Sequence, residues 1–244
     1  MFFIDNRVRR NVLVSTDHGM MLVNRFDCNH EQVGHGQWLL DHGSASSIEA
    51  QETVSCLQNI SSPVIFDVGS NIGTYSTWLT KILPQSKIYC FEPQRIVFQM
   101  LCANMMLNNF DNCFAHNIAI GNKDDFIVID EPDYEKPEDF GIFSLVEDKI
   151  FNKSNKKTVI PIMKIDTFIE TYHIEKLNFI KIDVEGMDMD VLKGAQKTIQ
   201  KYNPFIFIEH SDNRKSILNE ITDYLSLTKY EFKVIGNNVL AKPK

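Results

Sequence analysis

A turn of small and polar residues follows the first strongly apolar stretch of this sequence. VIFDV, residues 64–68, leads directly into it. Its candidate ligand-binding residues are Asp67, Gly69, Ser70, Asn71 and Gly73. Gly69 permits a tight turn and Gly73 permits close packing of a following helix. Because amides at the start of a helix attract an anion, the segment predicts a turn that binds part of a ligand.

An acidic residue ends the next strand-like segment. Glu92 lies 23 residues beyond Gly69 and is followed by Pro93. A carboxylate at this spacing accepts hydrogen bonds from both hydroxyls of a ribose. Asn71 replaces the middle glycine of the dinucleotide fingerprint, which disfavours close approach of a pyrophosphate. We therefore predict S-adenosylmethionine, with Asp67 near its ammonium group and the helix start near its carboxylate.

Further polar residues follow the later strand-like segments. Asp183 and Glu185 come after LNFIKI, Glu209 and His210 end PFIFIEH, and Asn117 lies in NCFAHNIAI. In an open parallel sheet, ligands bind beyond the carboxyl ends of the strands, so these side chains are expected to converge. Asn117 is predicted to reach the adenine edge, and Asp183 is a second candidate for cofactor binding.

The resemblance described below implies that the cofactor donates a methyl group to a hydroxyl, and the same acidic residues suggest two ways to activate that hydroxyl. In the first, one of Asp183, Glu185, Glu209 and His210 is the general base. In the second, Asp183, Glu209 and His210 bind a divalent cation such as Mg²⁺, which lowers the pKa of the hydroxyl. A purely structural interpretation also exists, because Glu185 precedes a predicted helix and Asp183 can bind loop amides.

Strand-like and helix-like patterns alternate from residue 63 onward. This predicts an α/β fold with a mostly parallel, doubly wound sheet, to which a final hairpin around Gly236 adds an antiparallel strand at one end. Residues 121–160 interrupt the alternation with a charged insertion, either a substrate lid or an idle loop. We divide the chain into an N-terminal extension, a hairpin plus a helix, at 1–60, and a main domain at 61–244, which the resemblance described below implies to be a methyltransferase domain.

The N-terminal extension is harder to interpret. VRRNVLV and MMLVNRF predict a hairpin, and the segment after them is rich in turn residues. His30, His35 and His42 do not match a known metal spacing, and exposed turns are the favoured interpretation. Trp38 either lines an acceptor pocket or anchors the segment to the core, and we favour the anchor.

The region from about residue 63 to residue 210 resembles the FkbM-type methyltransferases. The matching segments are DVGSNIGTYS (67–76), FEP (91–93), IAIG (118–121), GIFSL (141–145), IDTFI (165–169), FIKIDVEGMDMDVLKGA (179–195) and PFIFIE (204–209). The resemblance implies a Rossmann-like, seven-stranded fold with an antiparallel last strand. It also implies methylation of a hydroxyl, often on a sugar or polyketide. Asp188 and Ile165 depart mildly from the family, which commonly has Glu and Leu there.

Composition narrows the choice of partner and setting. The net charge of −7 and the pI of about 5.5 make a nucleic-acid partner unlikely. Five cysteines, an odd number without a CxxC pair, indicate a reduced, cytoplasmic setting. No apolar run reaches the roughly 18 residues that span a bilayer, and the early charges of the N-terminus do not suit a secretory leader. The sequence does not indicate an oligomeric state.

The favoured function is S-adenosylmethionine-dependent O-methylation of a small molecule or glycan. An N-methyltransferase, an RNA methyltransferase and a non-catalytic cofactor-binding module are the alternatives. An NAD-dependent oxidoreductase is the least favoured alternative, because the middle glycine of the dinucleotide fingerprint is missing.

Overall fold

The computed structural model describes residues 9–28, 34–44, 48–146, 152–209, 215–236 and 238–244. The strands, numbered along the chain, are β1 (Asn11–Thr16), β2 (Gly19–Asn24), β3 (Val64–Val68), β4 (Lys87–Phe91), β5 (Cys113–His116), β6 (Ala119–Ile120), β7 (Asp125–Pro132), β8 (Lys153–Met163), β9 (Phe179–Ile182), β10 (Phe205–Ile208), β11 (Tyr230–Ile235) and β12 (Asn238–Pro243). The α-helices are α1 (His35–His42), α2 (Ile48–Leu57), α3 (Thr74–Ile82), α4 (Arg95–Leu107), α5 (Ile165–Thr171), α6 (Asp188–Gly194), α7 (Gln196–Tyr202) and α8 (Lys215–Leu227), with a 3₁₀ turn at Phe140–Ile142.

A seven-stranded sheet forms the centre of the molecule, in the order β11-β12-β10-β9-β3-β4-β5. Its strands from β10 to β5 are parallel, and β12 runs antiparallel to both β10 and β11. This confirms the predicted doubly wound fold and its antiparallel last strand. The antiparallel strand is second from the edge, not at the end, because the final hairpin places β12 against β10 and β11 outside it.

The sheet carries a hydrophobic core on each face. All five residues of β3 are buried, as expected for a parallel strand covered on both sides. Phe66 packs into a cluster with Phe168 of α5, whereas its neighbour Ile65 packs on the opposite face with Leu79 of α3. Side chains alternate between the two faces of a strand, so both cores contribute to the position of the turn after β3.

A smaller sheet, in the order β6-β8-β7, occupies the predicted insertion. β7 and β8 pair antiparallel from Asp125 opposite Ile162 to Pro132 opposite Lys153, so much of this segment is a hairpin. The predicted single strand NCFAHNIAI is wrong. It divides at Asn117–Ile118, since β5 joins the large sheet and β6 the small one. The proposed division of the chain at residue 60 stays a prediction.

The N-terminal hairpin of β1 and β2 is confirmed, and it packs on α4. The backbone N–H of Leu22 donates to Asn104 Oδ1 over 2.5 Å, and the Asn104 side-chain amide donates to the carbonyl of Ile72 over 2.8 Å. One asparagine of α4 therefore links the hairpin to the turn after β3. The segment that we interpreted as turn-rich contains α1.

The single helix predicted after Glu185 is wrong. The structure has two helices there, α6 and α7, which meet at Ala195. Pro93 precedes α4, whose N-cap is Gln94. Within the described part of the chain, no helix combines the length and apolar character needed to cross a bilayer.

Candidate functional site

A cavity of about 690 Å³ opens at the carboxyl ends of β3, β4, β9 and β10. The predicted site residues that line it are Gly69, Asn71, Glu92, Pro93, Asp183, Glu185 and Glu209. The others, Asp67, Ser70, Gly73 and Asn117, lie outside its lining, and His210 falls outside the described residues. The volume lies within the range of about 300–1,000 Å³ that is typical of small-molecule sites. The sequence therefore located the cavity, although not every residue of its wall.

Gly69 holds the turn after β3 against the neighbouring strand ends. Its φ is +85°, and a Cβ at this position would lie 1.8 Å from the carbonyl oxygen of Asp183. The N–H groups of Gly69 and Ser70 both donate to the carbonyl of Phe91 over 3.0 Å. Only glycine combines this conformation with this close approach, so the residue fixes the distance between the β3 and β9 turns.

Asn71 connects the glycine turn to the acidic residue that ends β4. It adopts a φ of +49°, which asparagine tolerates better than most residues. Its N–H donates to Glu92 Oε2 over 3.0 Å, while the N–H of Gln94 donates to Oε1 over 2.8 Å. The turn and the carboxylate are thus positioned as a unit.

The first turn of α3 is the part of the loop that is available to an anion. The N–H groups of residues 69–73 are used within the protein, with Phe91, Glu92, Asn71 and Ser70 as acceptors. Gly73, at a φ of +89°, is the N-cap of α3 and provides no side-chain cap. Thr74 and Tyr75 of the first turn line the cavity. An anionic group of a ligand is best placed there, one turn beyond the glycines.

Glu92 is a carboxylic acid with an unusual environment. Its side chain is only 4% exposed, and burial raises its pKa to about 8. The hydrogen bonds that it accepts from the backbone N–H groups of Gln94 and Asn71 lower its pKa, whereas the nearby carboxyl groups of Asp67 and Asp183 raise it. A ligand that brings positive charge or hydroxyl donors to this carboxyl group would favour its ionised form.

Asp67 lies beneath the cavity and not in its wall. Its side chain is fully buried, and Oδ2 accepts a hydrogen bond of 2.5 Å from Ser76. Burial raises its pKa, and the charge of Lys181 opposes the rise. Asp67 does not line the cavity, and its predicted place near a cofactor ammonium group stays a prediction.

Lys181 is a buried cation that the sequence analysis missed. It is 4% exposed, and its Nζ lies 2.9 Å from Asp183 Oδ2 and 4.0 Å from Glu209 Oε2. The same Nζ lies over the Tyr75 ring, 5.3 Å from the ring centre. The ammonium group therefore brings together the two acids that end β9 and β10. A lysine inside the apolar strand FIKI is the signal that identifies it, since buried lysines are rare unless paired.

Two predicted cofactor-binding residues, Asn117 and Ser70, lie outside the cavity lining and hold the backbone around it by hydrogen bonds. The Asn117 side-chain amide donates to the carbonyls of Glu92 and Pro93 over 2.8 and 3.0 Å. The Ser70 hydroxyl donates to the carbonyl of Asp67 and accepts from the N–H of Phe91. Ile118, not Asn117, lines the cavity. The structure thus gives Asn117 and Ser70 a positioning geometry, and their direct contact with a cofactor stays a prediction.

The turn after β9 carries Glu185 and contacts the insertion. Glu185 and Gly186 have φ values of +44° and +104°. The hydroxyl of Ser144 donates to the carbonyl of Glu185 over 2.7 Å, and the neighbouring Phe143 lines the cavity. The segment GIFSL is therefore part of the site. Among the described residues, no group of three His, Cys, Asp or Glu side chains is arranged to hold a metal.

Three ring-bearing residues of α1 line the cavity, although this was the favoured interpretation for none of them. His35, Trp38 and His42 have the spacing i, i+3, i+7, which places them on one face of a helix. Our interpretation of His35 and His42 as exposed turns hid this pattern. The preferred interpretation of Trp38 as a core anchor is wrong, because its side chain is 45% exposed in the cavity wall. His30 lies outside the described residues.

Asp27 fastens α1 over the cavity. Its carboxylate accepts from the N–H of Gly36 over 2.7 Å and from the N–H of Phe140 over 3.0 Å. Burial raises its pKa to about 6. One side chain thus joins the start of α1 to the 3₁₀ turn, and both segments contribute to the wall that faces the sheet.

Comparison with known proteins agrees with this architecture. The model of the methyltransferase FkbM domain matches residues 67–234. Methyltransferase 1 of Beauveria bassiana is 28% identical over 142 residues, which are 53% of this chain and 57% of that protein. The 2-O-methyltransferase NoeI of Sinorhizobium fredii is 21% identical over 215 residues, 82% of this chain and 87% of that protein.

A solved structure shares the fold. The FkbM methyltransferase of Methylobacillus flagellatus superimposes with a TM-score of 0.53 at 19% identity, covering 74% of this chain and 43% of that one. This chain thus spans well under two thirds of the length of the Beauveria and Methylobacillus proteins. The family model itself matches most of the chain, including the turn after β3 and the segments that end β4, β9 and β10. This chain belongs to the FkbM methyltransferase family.

Proposed function

We propose that this protein transfers the methyl group of S-adenosylmethionine to a hydroxyl oxygen of a small molecule or glycan. The observation that carries the proposal is the position of Glu92 beside the turn of Gly69 and Asn71, at the edge of a cavity formed by the strand ends. Membership of a methyltransferase family supports it. The name of the relative NoeI, a 2-O-methyltransferase, supports oxygen as the acceptor atom.

The charges of the cavity suit this cofactor. S-adenosylmethionine carries a positive sulfonium and a positive ammonium group, and the cavity is lined by the carboxyl groups of Glu92, Asp139, Asp183, Glu185 and Glu209. Opposite charges at short range favour binding in a partly enclosed site. In this arrangement Glu92 accepts the ribose hydroxyls, and the first turn of α3 receives the cofactor carboxylate.

The chemistry requires an acceptor oxygen in line with the sulfonium methyl. A C–O bond forms as the C–S bond breaks, S-adenosylhomocysteine leaves, and the hydroxyl proton passes to a base. Asp183 and Glu209 are the candidate bases on neighbouring strand ends, and Glu185 is the third. We favour a carboxylate base over a metal, since the ammonium group of Lys181 already occupies the space beside Asp183 and Glu209.

A methyl-transfer assay tests the function. The protein is incubated with S-adenosylmethionine labelled in its methyl group and with neutral glycosides, cyclic polyols or free RNA. We expect label in an alkali-stable ether of a hydroxyl compound, with turnover unchanged after treatment with a chelator. Label in RNA or on nitrogen would contradict the proposed acceptor. Turnover lost on chelation and restored by Mg²⁺ would replace the carboxylate base by the metal mechanism.

The raised pKa of Glu92 predicts how cofactor affinity depends on pH. In the empty protein its pKa is about 8, so the group is largely protonated at neutral pH. If the bound cofactor requires the carboxylate, affinity should rise as the pH approaches 8 and level off above it. Folding stability should change in the opposite direction, because the native state binds this proton more tightly than the unfolded chain. That contribution to stability is lost as the pH rises through about 8.

Calorimetric titration with S-adenosylhomocysteine at several pH values measures the first effect, and thermal melts measure the second. Glu92→Gln should weaken binding and flatten both profiles. Glu220→Gln, in an exposed ion pair with Lys193, serves as the control and should leave both unchanged. Full affinity in the Glu92→Gln variant at every pH would show that the ribose assignment is wrong.

A further inference from the structure

Among the Phe, Tyr and Trp side chains that the structure describes in the cavity lining, that of Trp38 is the most exposed, and Phe143 is half-buried. Tyr75, Phe91 and Phe140 contribute to the lining but are almost completely buried, at 6%, 1% and 1% exposed. Trp38 of α1 lines the same cavity and is 45% exposed. Aromatic side chains are typical of the walls of ligand pockets, and an exposed indole inside a cavity offers a large apolar face to a ligand.

The Trp38 ring is held in a fixed orientation. Its indole N–H donates to the carbonyl of Ser44 over 2.9 Å. One face of the ring stacks on His42, with the ring centres 4.0 Å apart and the planes 18° from parallel. Asp27 fastens the other end of α1 through the N–H of Gly36. A ring fixed by its edge and by one face presents the remaining face to a ligand at little cost in conformational entropy.

The charge of the lining limits which ring can pack there. Five of the described residues that line the cavity are acidic, and none of those described is a lysine or arginine. Burial keeps Glu92 largely protonated, and Lys181 lies beside Asp183 and Glu209, but the lining still carries more acidic than basic groups. An acceptor that carries a carboxylate or phosphate is therefore disfavoured in this partly enclosed space. A neutral ring with hydroxyl groups meets no such repulsion, since carboxylates accept hydrogen bonds from hydroxyls and the apolar ring face packs on an aromatic ring.

From these contacts we infer that Trp38 is the platform on which an uncharged, hydroxyl-bearing ring of the acceptor stacks. The carboxylates across the cavity accept the hydroxyls of that ring and exclude its acidic counterparts. The inference rests on the proposed function, which supplies the identity of the reaction. Binding of the ring at Trp38 is measured without turnover, so a failure of acceptor binding can be distinguished from a failure of the proposed methyl transfer.

Tryptophan fluorescence provides a direct test. The chain has two tryptophans, Trp38 and Trp78, so a Trp78→Phe background leaves Trp38 as the sole reporter. This variant is titrated with methyl β-glucopyranoside and with methyl β-glucuronide, which has the same ring with a carboxylate added. Both titrations are carried out with and without S-adenosylhomocysteine. We expect a saturable change in emission with the neutral glycoside, and at least about tenfold weaker binding of the glucuronide.

Variants at position 38 separate stacking from folding. Calorimetry with the neutral glycoside should show binding weakened by about tenfold in Trp38→Ala, the usual size of one aromatic packing contact, and by less in Trp38→Phe. Phe126→Ala removes an aromatic side chain that is 68% exposed outside the cavity lining, and should change nothing. Affinity for S-adenosylhomocysteine should stay unchanged in all three variants, which checks that the fold is intact. In turnover assays, Trp38→Ala should raise KM and leave kcat nearly unchanged.

The inference is overturned if the neutral glycoside leaves the Trp38 emission unchanged, if the glucuronide binds equally well, or if Trp38→Ala binds the glycoside at full affinity. A normal glycoside response in a protein that does not bind S-adenosylhomocysteine would support the platform and contradict the proposed cofactor.

Discussion

Replacement of Gly69 by alanine is expected to abolish cofactor binding. The new Cβ would lie 1.8 Å from the carbonyl oxygen and 2.8 Å from the carbonyl carbon of Asp183, and these backbone atoms cannot rotate away as a side chain can. The turn after β3 must then move away from the turn after β9, which separates Gly69 and Asn71 from Asp183. We expect calorimetry to show affinity for S-adenosylmethionine reduced by more than about 100-fold, equivalent to roughly 3 kcal/mol.

A second glycine separates the steric clash from the backbone conformation. Gly236 also has a positive φ, of +61°, but nothing lies within 4 Å of its missing Cβ. Gly236→Ala should therefore cost only about 1 kcal/mol of folding stability, the usual penalty for this conformation, and leave cofactor binding intact. If Gly69→Ala binds the cofactor as tightly as Gly236→Ala does, the close approach of the two turns is not needed for binding.

Replacement of Lys181 by methionine is expected to cause the largest loss of stability. The substitution keeps most of the buried side-chain volume but removes the charge that faces Asp183, Glu209 and the fully buried Asp67. Removal of one partner from a buried charge pair typically costs about 3–5 kcal/mol, and the partial exposure of the Asp183 and Glu209 side chains, 28% and 42%, places the loss at the lower end of that range. For a chain of this length, that corresponds to a decrease in Tm of roughly 10 °C, measured by thermal denaturation at neutral pH.

The pH dependence of this loss identifies its cause. Burial raises the pKa of Asp67 and Lys181 opposes the rise, so the pKa should rise further in Lys181→Met. A raised native pKa lowers stability at higher pH, and the variant should therefore recover as the pH falls and Asp67 is protonated. Lys233→Met, which breaks an exposed ion pair of 2.8 Å with Glu52, should cost less than about 1 kcal/mol. A pH-independent deficit in Lys181→Met would point to lost packing.

The central fold could be predicted because its strands are simple in pattern. β3, β4, β9 and β10 are short, mostly apolar segments. A glycine turn follows β3, an acidic residue follows each of the other three, and a parallel sheet brings these positions to one edge. Gly69, Glu92, Asp183 and Glu209 all reach the cavity for this reason. The topology alone was enough to place them.

The opposite wall could not be predicted in the same way. α1 is only eight residues long, begins after Gly34 and is fastened by Asp27, whose partners are Gly36 and Phe140. The contact with Phe140 joins residues more than 100 positions apart, so no local pattern reveals it. The burial of Asp67 could not be predicted for a different reason. Its place at the end of β3 was correct, but burial beneath the cavity depends on the packing of α3 and Lys181.

The central claim is that the cavity beside Gly69 and Glu92 binds S-adenosylmethionine. Calorimetric titration of the wild-type chain with S-adenosylmethionine, S-adenosylhomocysteine and NAD, repeated with Glu92→Ala, tests it most directly. We predict saturable binding of the first two ligands, no measurable binding of NAD, and clear weakening in the variant. Tight binding of NAD alone, or binding of S-adenosylmethionine that is unaffected by Glu92→Ala, would contradict the claim.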